Sequence, residues 1–209
     1  MKIVNYGHAC FKVIDDDLSV VFDPYLDGSV PGLKLPKDIE ANYVFASHDH
    51  YDHNGVNMIK IIPNDKSLDL KEIKLSHDNV GGKKRGFSIA RIIKFKDYSI
   101  CHMGDVGDIK EVLKCNELKG IDIVLCPING FFTISAEDAV QIKEKMSWKL
   151  LIPMHYEIKE KGSGYPDGGQ INIFKKLMPN HTFVDEMVEI NGQCFNYDSL
   201  IFLKSLGER

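Results

Sequence analysis

The sequence has no apolar run approaching the roughly 18 residues of a helical membrane span, and no C-x-x-C pair among its five cysteines, Cys10, Cys101, Cys115, Cys126 and Cys194. The first absence excludes a membrane-crossing helix. The second removes the usual spacing of zinc ribbons and thioredoxin-like redox sites. An odd, scattered set of thiols in a 209-residue chain, long enough to bury a core without covalent staples, reads as small buried hydrophobes in a reducing compartment. Positive charge is not in excess either. With 26 basic and 30 acidic side chains the net charge is −4, without the cationic field that nucleic acids or anionic membranes require. No repeat, linker or low-complexity tract divides the chain, and Met1–His8 lacks the apolar stretch and cleavage site of a secretory signal. These absences point to one cytoplasmic domain over residues 1–209, with neither nucleic acid nor membrane as partner. The 44% hydrophobic and 27% charged residues are the composition of an ordinary globule.

Strand-like runs dominate the first half. Ile3–Ile14 and Leu18–Phe22 flank a turn at Asp15-Asp16-Asp17, and Asp23-Pro24 ends the second run because proline cannot continue a central ladder. Tyr43–Ala46 reads as a third strand, and Phe87–Phe95 with Tyr98–His102 as a hairpin turning at Lys96-Asp97. Helical spacing follows over Asp108–Leu118, stopped at Gly120, and a helix capped by Ser135 begins before Asp138. Ile121–Pro127 and Lys149–Met154 are buried strands by composition. A helix near Gln170–Met178 and a β-rich segment Thr182–Leu203 close the chain. The expected layout is a mixed α/β fold whose sheets need helices to cover them.

Of eight histidines, three lie within Ser47-His48-Asp49-His50-Tyr51-Asp52-His53-Asn54, just past a strand end. Clustered imidazoles repel when protonated, so such a group is stable chiefly when neutral and holding a cation. In an extended loop His48 and His50 project to the same side and can share one ion. Asp52 and His53 follow where a turn can swing them toward a second. An all-nitrogen-and-oxygen donor set suits Zn2+, Mn2+, Fe2+ or Ni2+, and the surplus of donors over the four of a closed structural zinc site favours two catalytic ions.

His48, His50, Asp52 and His53 match the H-x-H-x-D-H signature, and in this respect the chain resembles the metallo-β-lactamase superfamily. Asp23-Pro24, Ser76-His77-Asp78 with Gly81-Gly82, His102-Met103-Gly104-Asp105 and Ile152-Pro153-Met154-His155-Tyr156 fall in the same order as in that family. Tyr6-Gly7-His8-Ala9-Cys10-Phe11 and the Gly-Gly-Lys-Lys-Arg-Gly segment after His77 are similar to its small metal-dependent-hydrolase branch, which includes ascorbate-6-phosphate lactonase-like proteins. The resemblance implies a four-layer αββα sandwich with metals at one edge. Carried over, it puts His48, His50 and His77 on one ion and Asp52, His53 and His155 on a second, zinc being the first choice for both. It has Asp105 bridging them and Asp23 orienting a ligand imidazole from behind. Asp52 and Asp105 are the carboxylates given the catalytic role. His77 competes with His102 for the third histidine. His77 is preferred because His102 lies only three residues before Asp105. His8 is open between pocket lining and packing, and His181 is expected at the surface.

The resemblance implies a hydrolase in which a metal-bridged hydroxide cleaves a small ester, lactone or phosphoester. Asp105 stands where zinc β-lactamases typically have cysteine, which argues against antibiotic hydrolysis. The length leaves no room for the extra domains of glyoxalase II-type enzymes or of the family's nucleases, or for a flavin partner. The alternative is a metal- or ligand-binding module that keeps the fold without turnover. Asp49 reads as structural. Tyr51, Tyr156 and Lys83-Lys84-Arg85 are candidate contacts to a small-molecule substrate, the triplet being equally consistent with a solvated turn. Lys159–Gly169 is a candidate cover for the site. Homo-oligomerisation is compatible with the sequence.

Overall fold

The computed structural model describes residues 1–207. In chain order the elements are β1 (Lys2–Gly7), β2 (Cys10–Asp15), β3 (Leu18–Phe22), β4 (Glu40–Ala41), β5 (Tyr43–Phe45), β6 (Lys60–Ile61), β7 (Asp69–Ser76), β8 (Phe87–Lys94), β9 (Ser99–His102), α1 (Ile109–Lys114), β10 (Ile123–Pro127), α2 (Ala136–Met146), β11 (Leu150–Met154), α3 (Gln170–Leu177), β12 (His181–Val184), β13 (Met187–Glu189) and β14 (Ser199–Phe202). A five-stranded sheet has the order β13-β1-β2-β3-β5 and a seven-stranded sheet the order β12-β14-β11-β10-β9-β8-β7. The strands from β9 through β12 pair in parallel, whereas β7, β8 and β9 form an antiparallel meander.

Side-chain alternation explains the layering. Along β10, Ile123 and Leu125 face the first sheet, packing with Ile3, Phe11, Val13, Val20 and Phe22. Val124 and Cys126 face the other way, toward Val112 of α1, Ala139 and Ile142 of α2, and Phe174 of α3. A strand covered on both faces must be apolar throughout, as β10 is. The outer face of the five-stranded sheet has no α-helix packed on it among the described residues. Val4, Tyr6, Cys10 and Val21 are instead covered by Tyr25, Val30, Leu33, Leu35 and Ile39 of the long loop after β3.

Helix ends follow local chemistry. Asp108 caps α1 by accepting from the Lys110 amide. Ser135 and Asp138 form a reciprocal capping box on α2, satisfying two otherwise orphaned amides. One strand expectation is corrected, and a second strand had no expectation. Ile3–Ile14 is a hairpin, not one strand, because the chain reverses at Gly7 (φ +98°) and His8 (φ +57°). The φ of +98° is one that L side chains rarely adopt, and a Cβ on Gly7 would also come within 2.7 Å of Leu33 Cδ1, so the position favours glycine. The second is β7, an edge strand unread from sequence because exposed charges at Asp69, Lys71, Glu72 and Lys74 dilute its apolar signal. Such charges are what keeps an edge from pairing with other chains.

Candidate metal centre

Six strands end at one rim of the sandwich and each delivers a polar residue there: His8 after β1, Asp23 after β3, His48 after β5, His77 after β7, Asp105 after β9 and His155 after β11. His50, Asp52 and His53 come from the turn after His48, which is closed by His53 and Asn54 amides donating to the His50 carbonyl at 2.9 Å. Gly55 lets this turn rest on the chain beneath, where a Cβ would lie 2.8 Å from the Tyr25 carbonyl carbon. Asp23, His8 and His155 all have positive φ, of 44°, 57° and 57°. Left-handed backbone at non-glycine positions persists where the surroundings enforce it, and it clusters at functional sites.

All seven residues expected to hold metal come together. Potential ligand atoms fall into three overlapping groups: His48, His50 and His77; His8, Asp52, His53 and His155; and His48, His53 and Asp105. Asp105 Oδ2 lies 3.1 Å from His53 Nε2, 3.1 Å from His155 Nε2 and 3.5 Å from His77 Nε2. Asp105 Oδ1 is buried without a hydrogen-bond partner among the described residues. His48 Nε2 approaches His50 Nδ1 to 2.8 Å, two ring nitrogens that need a proton or a cation between them. A buried orphan carboxylate oxygen and imidazole nitrogens converging without an apolar filler fit a divalent cation, and the all-nitrogen-and-oxygen donor set suits zinc or its neighbours.

The layer behind fixes the imidazoles. Asp23 accepts from the Ser47 amide and hydroxyl, both at 2.6 Å, and from His53 Nδ1 at 2.8 Å. Because Ser47 Oγ donates to Asp23, it accepts from His48 Nδ1 at 3.0 Å. Both rings then carry their hydrogen on Nδ1 and turn Nε2 toward the centre. His102 does the opposite. Its Nε2 donates to the Ala9 carbonyl at 2.8 Å and its Nδ1 accepts from the Gly104 amide at 3.2 Å, so neither nitrogen is free for an ion. The Asp105 amide is held by Ser88 Oγ at 2.9 Å.

Burial and neighbouring charge set the proton affinities. Burial, with His53 beside it, pushes the His48 imidazole down to about 3, and burial with His155 takes His8 to about 4. At His53 burial opposes charge, but the carboxylates of Asp105 and Asp23 outweigh it and raise its proton affinity well above the ordinary value. Burial likewise works against Asp105 ionisation and is overcome by His155 and His53, which hold its carboxyl far below the usual range. Asp23 is buried too, yet His102 and His53 take it down to about 2.

A cleft of about 340 Å³ opens over this cluster, lined by His50, Asp52, His77, Arg85, Asp105, Phe132, His155 and Tyr165. Several expectations meet it differently. Tyr51 is exposed and outside the cleft, and Tyr156 lines a different cavity with its hydroxyl 3.5 Å from the Phe202 carbonyl. Tyr165 lines the cleft instead. Its ring sits 5.5 Å from that of His8 and 6.2 Å from that of His155, while its hydroxyl donates to the Ser29 carbonyl. The 159–169 segment therefore reaches the cleft through one side chain. Asp49 accepts from Asn54 on the exposed side of the turn. His8 belongs to the cluster, its Nε2 3.2 Å from Asp52 Oδ2. His181, expected at the surface, is half-buried because its Nδ1 donates to the Met178 carbonyl at 2.6 Å. Phe132 carried no polar signal in the sequence and went unread.

Comparison with known proteins bears on the same rim. Residues 2–155 match the family model described as the β-lactamase superfamily domain. A UPF0173 metal-dependent hydrolase of Staphylothermus marinus is 30% identical, over 94% of this chain and 100% of its own length. A second, from Natranaerobius thermophilus, is 27% identical over 75% of this chain and 83% of its own. A crystal structure from Thermotoga maritima, a candidate zinc-dependent hydrolase of the metallo-β-lactamase superfamily, superposes with a TM-score of 0.71 at 23% identity. It covers 96% of this chain and 97% of that one. With two sheets face to face and a histidine–aspartate cluster at the rim where their strands end, the chain belongs to the metallo-β-lactamase superfamily.

Proposed function

We propose that the chain is a metal-dependent hydrolase with two divalent ions, zinc before Mn2+, Fe2+ or Ni2+, acting on a small ester, lactone or phosphoester. The observation that carries this reading is the convergence of three imidazole Nε2 atoms, those of His53, His155 and His77, on one buried Asp105 oxygen at 3.1, 3.1 and 3.5 Å. A single shared carboxylate between two histidine groups is the donor arrangement two neighbouring cations need. In this reading His48, His50 and His77 hold one ion, Asp52, His53 and His155 the other, and Asp105 both. The metal-dependent hydrolases among the relatives are consistent with it. When bound, the ions supply Lewis acidity and lower the pKa of a water at neutral pH.

The protein's own groups do the rest. Asp23 and Ser47 keep His53 and His48 in the tautomer that leaves Nε2 a lone pair. Asp52 Oδ2, on the cleft wall, accepts from His8 Nε2 at 3.2 Å, which holds that carboxylate toward the cluster. Phe132 and Tyr165 present apolar ring surface to the body of the substrate. The test is an activity screen of paired esters, lactones and phosphoesters with chelated and metal-restored protein. Hydrolysis lost on chelation and regained with zinc or manganese, and abolished in His50→Ala and Asp105→Asn, is expected. Metal bound without turnover of any panel member would favour the non-catalytic ligand-binding alternative.

A further inference from the structure

We infer that Arg85 selects a substrate carrying a second anionic group, a carboxylate or phosphate away from the bond that is cut, an assignment that rests on the hydrolytic role proposed above. Of the basic triplet Lys83-Lys84-Arg85, only Arg85 lines the cleft over the metal centre. Lys83 and Lys84 are exposed, and Lys84 borders only a neighbouring cavity, which Arg85 also lines. The Arg85 guanidinium stands 5.4 Å from the Phe132 ring and 5.9 Å from the Phe131 ring. These two rings meet edge-on at 4.8 Å. Among the described residues no carboxylate lies within ion-pair distance of it. A half-buried guanidinium held only by aromatic faces keeps its planar fork of donors for something else. A bidentate oxyanion is the partner that fork matches.

The loop that presents Arg85 is built to stay put. Asp78, directly after His77, accepts four backbone amides of that loop: Val80 at 2.9 Å, Gly82 at 2.8 Å, Lys84 at 2.7 Å and Arg85 at 2.8 Å. Beneath it Gly107 packs so closely that a Cβ would meet the Asp78 amide nitrogen at 2.5 Å. One residue thus ties the loop bearing Arg85 to the strand end bearing His77, fixing the distance between the anion-reading group and the metal cluster. A rigidly presented arginine on the wall of a cleft of about 340 Å³ reads charge at a set distance from the reacting bond. An anion there would meet the donor fork of Arg85, while the Phe132 ring lies against the guanidinium.

The test uses two readouts. In the first, phenyl phosphate, benzoate and neutral benzamide are titrated into metal-free and zinc-loaded full-length protein by calorimetry. Both anions should bind about tenfold or more tightly than benzamide, the order expected of one charge-assisted pair. That ratio should collapse toward one in Arg85→Gln, partly recover in Arg85→Lys, and stay as in wild type in Lys83→Gln. The anion losing more in Arg85→Gln tells phosphate from carboxylate. In the second, matched esters with and without a remote carboxylate or phosphate are hydrolysed, and the anionic-over-neutral ratio of kcat/KM should fall by about tenfold in Arg85→Gln. An anion preference unchanged in Arg85→Gln, or one that appears only with zinc and ignores Arg85, overturns the inference. Absence of turnover alongside Arg85-dependent anion binding would count against hydrolysis while supporting the anion site. Turnover with an unchanged ratio would do the reverse.

Discussion

Asp23→Asn changes one side-chain atom in the layer behind the histidine cluster, and its effect can be worked out from the three hydrogen bonds that the carboxylate accepts. The oxygen nearest the Ser47 amide can still accept, at a position now 2.6 Å from that nitrogen. The other oxygen, which accepts from Ser47 Oγ at 2.6 Å and His53 Nδ1 at 2.8 Å, becomes an amide nitrogen facing two donors. His53 escapes the clash by moving its proton to Nε2, the atom that points at Asp105, and so loses the lone pair a cation needs. Loss of a partner that orients a ligand imidazole typically weakens metal binding about 10–100-fold. Stability suffers as well. The gap between an Asp23 pKa of about 2 and the ordinary 3.8 corresponds to about 2 kcal/mol in the metal-free protein. Because the folded-state pKa is the lower one, that contribution is present above pH about 4 and is lost as the pH falls through about 2. At neutral pH, Asp23→Asn should therefore lower the melting temperature of metal-free protein by about 4–8 °C. The assays are zinc competition against a chromogenic chelator, thermal melting, and the ring-nitrogen spectrum of His53. Wild-type zinc affinity together with an Nδ1-protonated His53 in Asp23→Asn would refute the reasoning.

Three further outcomes follow from the same geometry. Metal uptake at pH 7 should release about one proton, mainly from His53, whose proton affinity is raised by Asp105 and Asp23, because His48 and His8 are already neutral there. Calorimetry in two buffers of different ionisation enthalpy measures it, and affinity should rise with pH; uptake without proton release would contradict the assignment. Gly107→Ala drives a Cβ into the Asp78 amide at 2.5 Å and should cost about 1–3 kcal/mol by overpacking, read by denaturant titration; an unchanged midpoint would mean the loop yields freely. Leu125→Ala, fully buried between the sheets, should cost about 2–5 kcal/mol in the same titration, with the metal-to-protein ratio of the folded fraction preserved.

The parts of the fold that were legible in the sequence are those where one physical requirement dominates. The continuous apolar runs of β10 and β11 could only be strands covered on both faces, and Ser135 with Asp138 marks a helix start whatever surrounds it. Residues whose role depends on a distant neighbour were harder. The reversal at Gly7-His8 interrupts no apolar pattern, so nothing local announced it, yet it brings His8 to Asp52 across 44 positions of sequence. β7 was lost under the lysines that protect a sheet edge. In the site, the histidine and aspartate types with their close spacing were informative because few other arrangements tolerate so many imidazoles together. Spacing alone favours His77 over His102 without showing what His102 does. Their ring nitrogens separate them, since the Ala9 carbonyl and the Gly104 amide engage both of those on His102. Tyr165 and Phe132 reach the cleft through loop conformation, which no periodicity encodes.

The central claim, two cations sharing one carboxylate, is tested most directly by anomalous diffraction from crystals of the zinc-loaded protein. The account predicts two anomalous peaks in the rim cluster, both within bonding distance of the Asp105 carboxylate, one also bound by His48, His50 and His77 and the other by Asp52, His53 and His155. A single peak, or peaks that Asp105 does not touch, would contradict it.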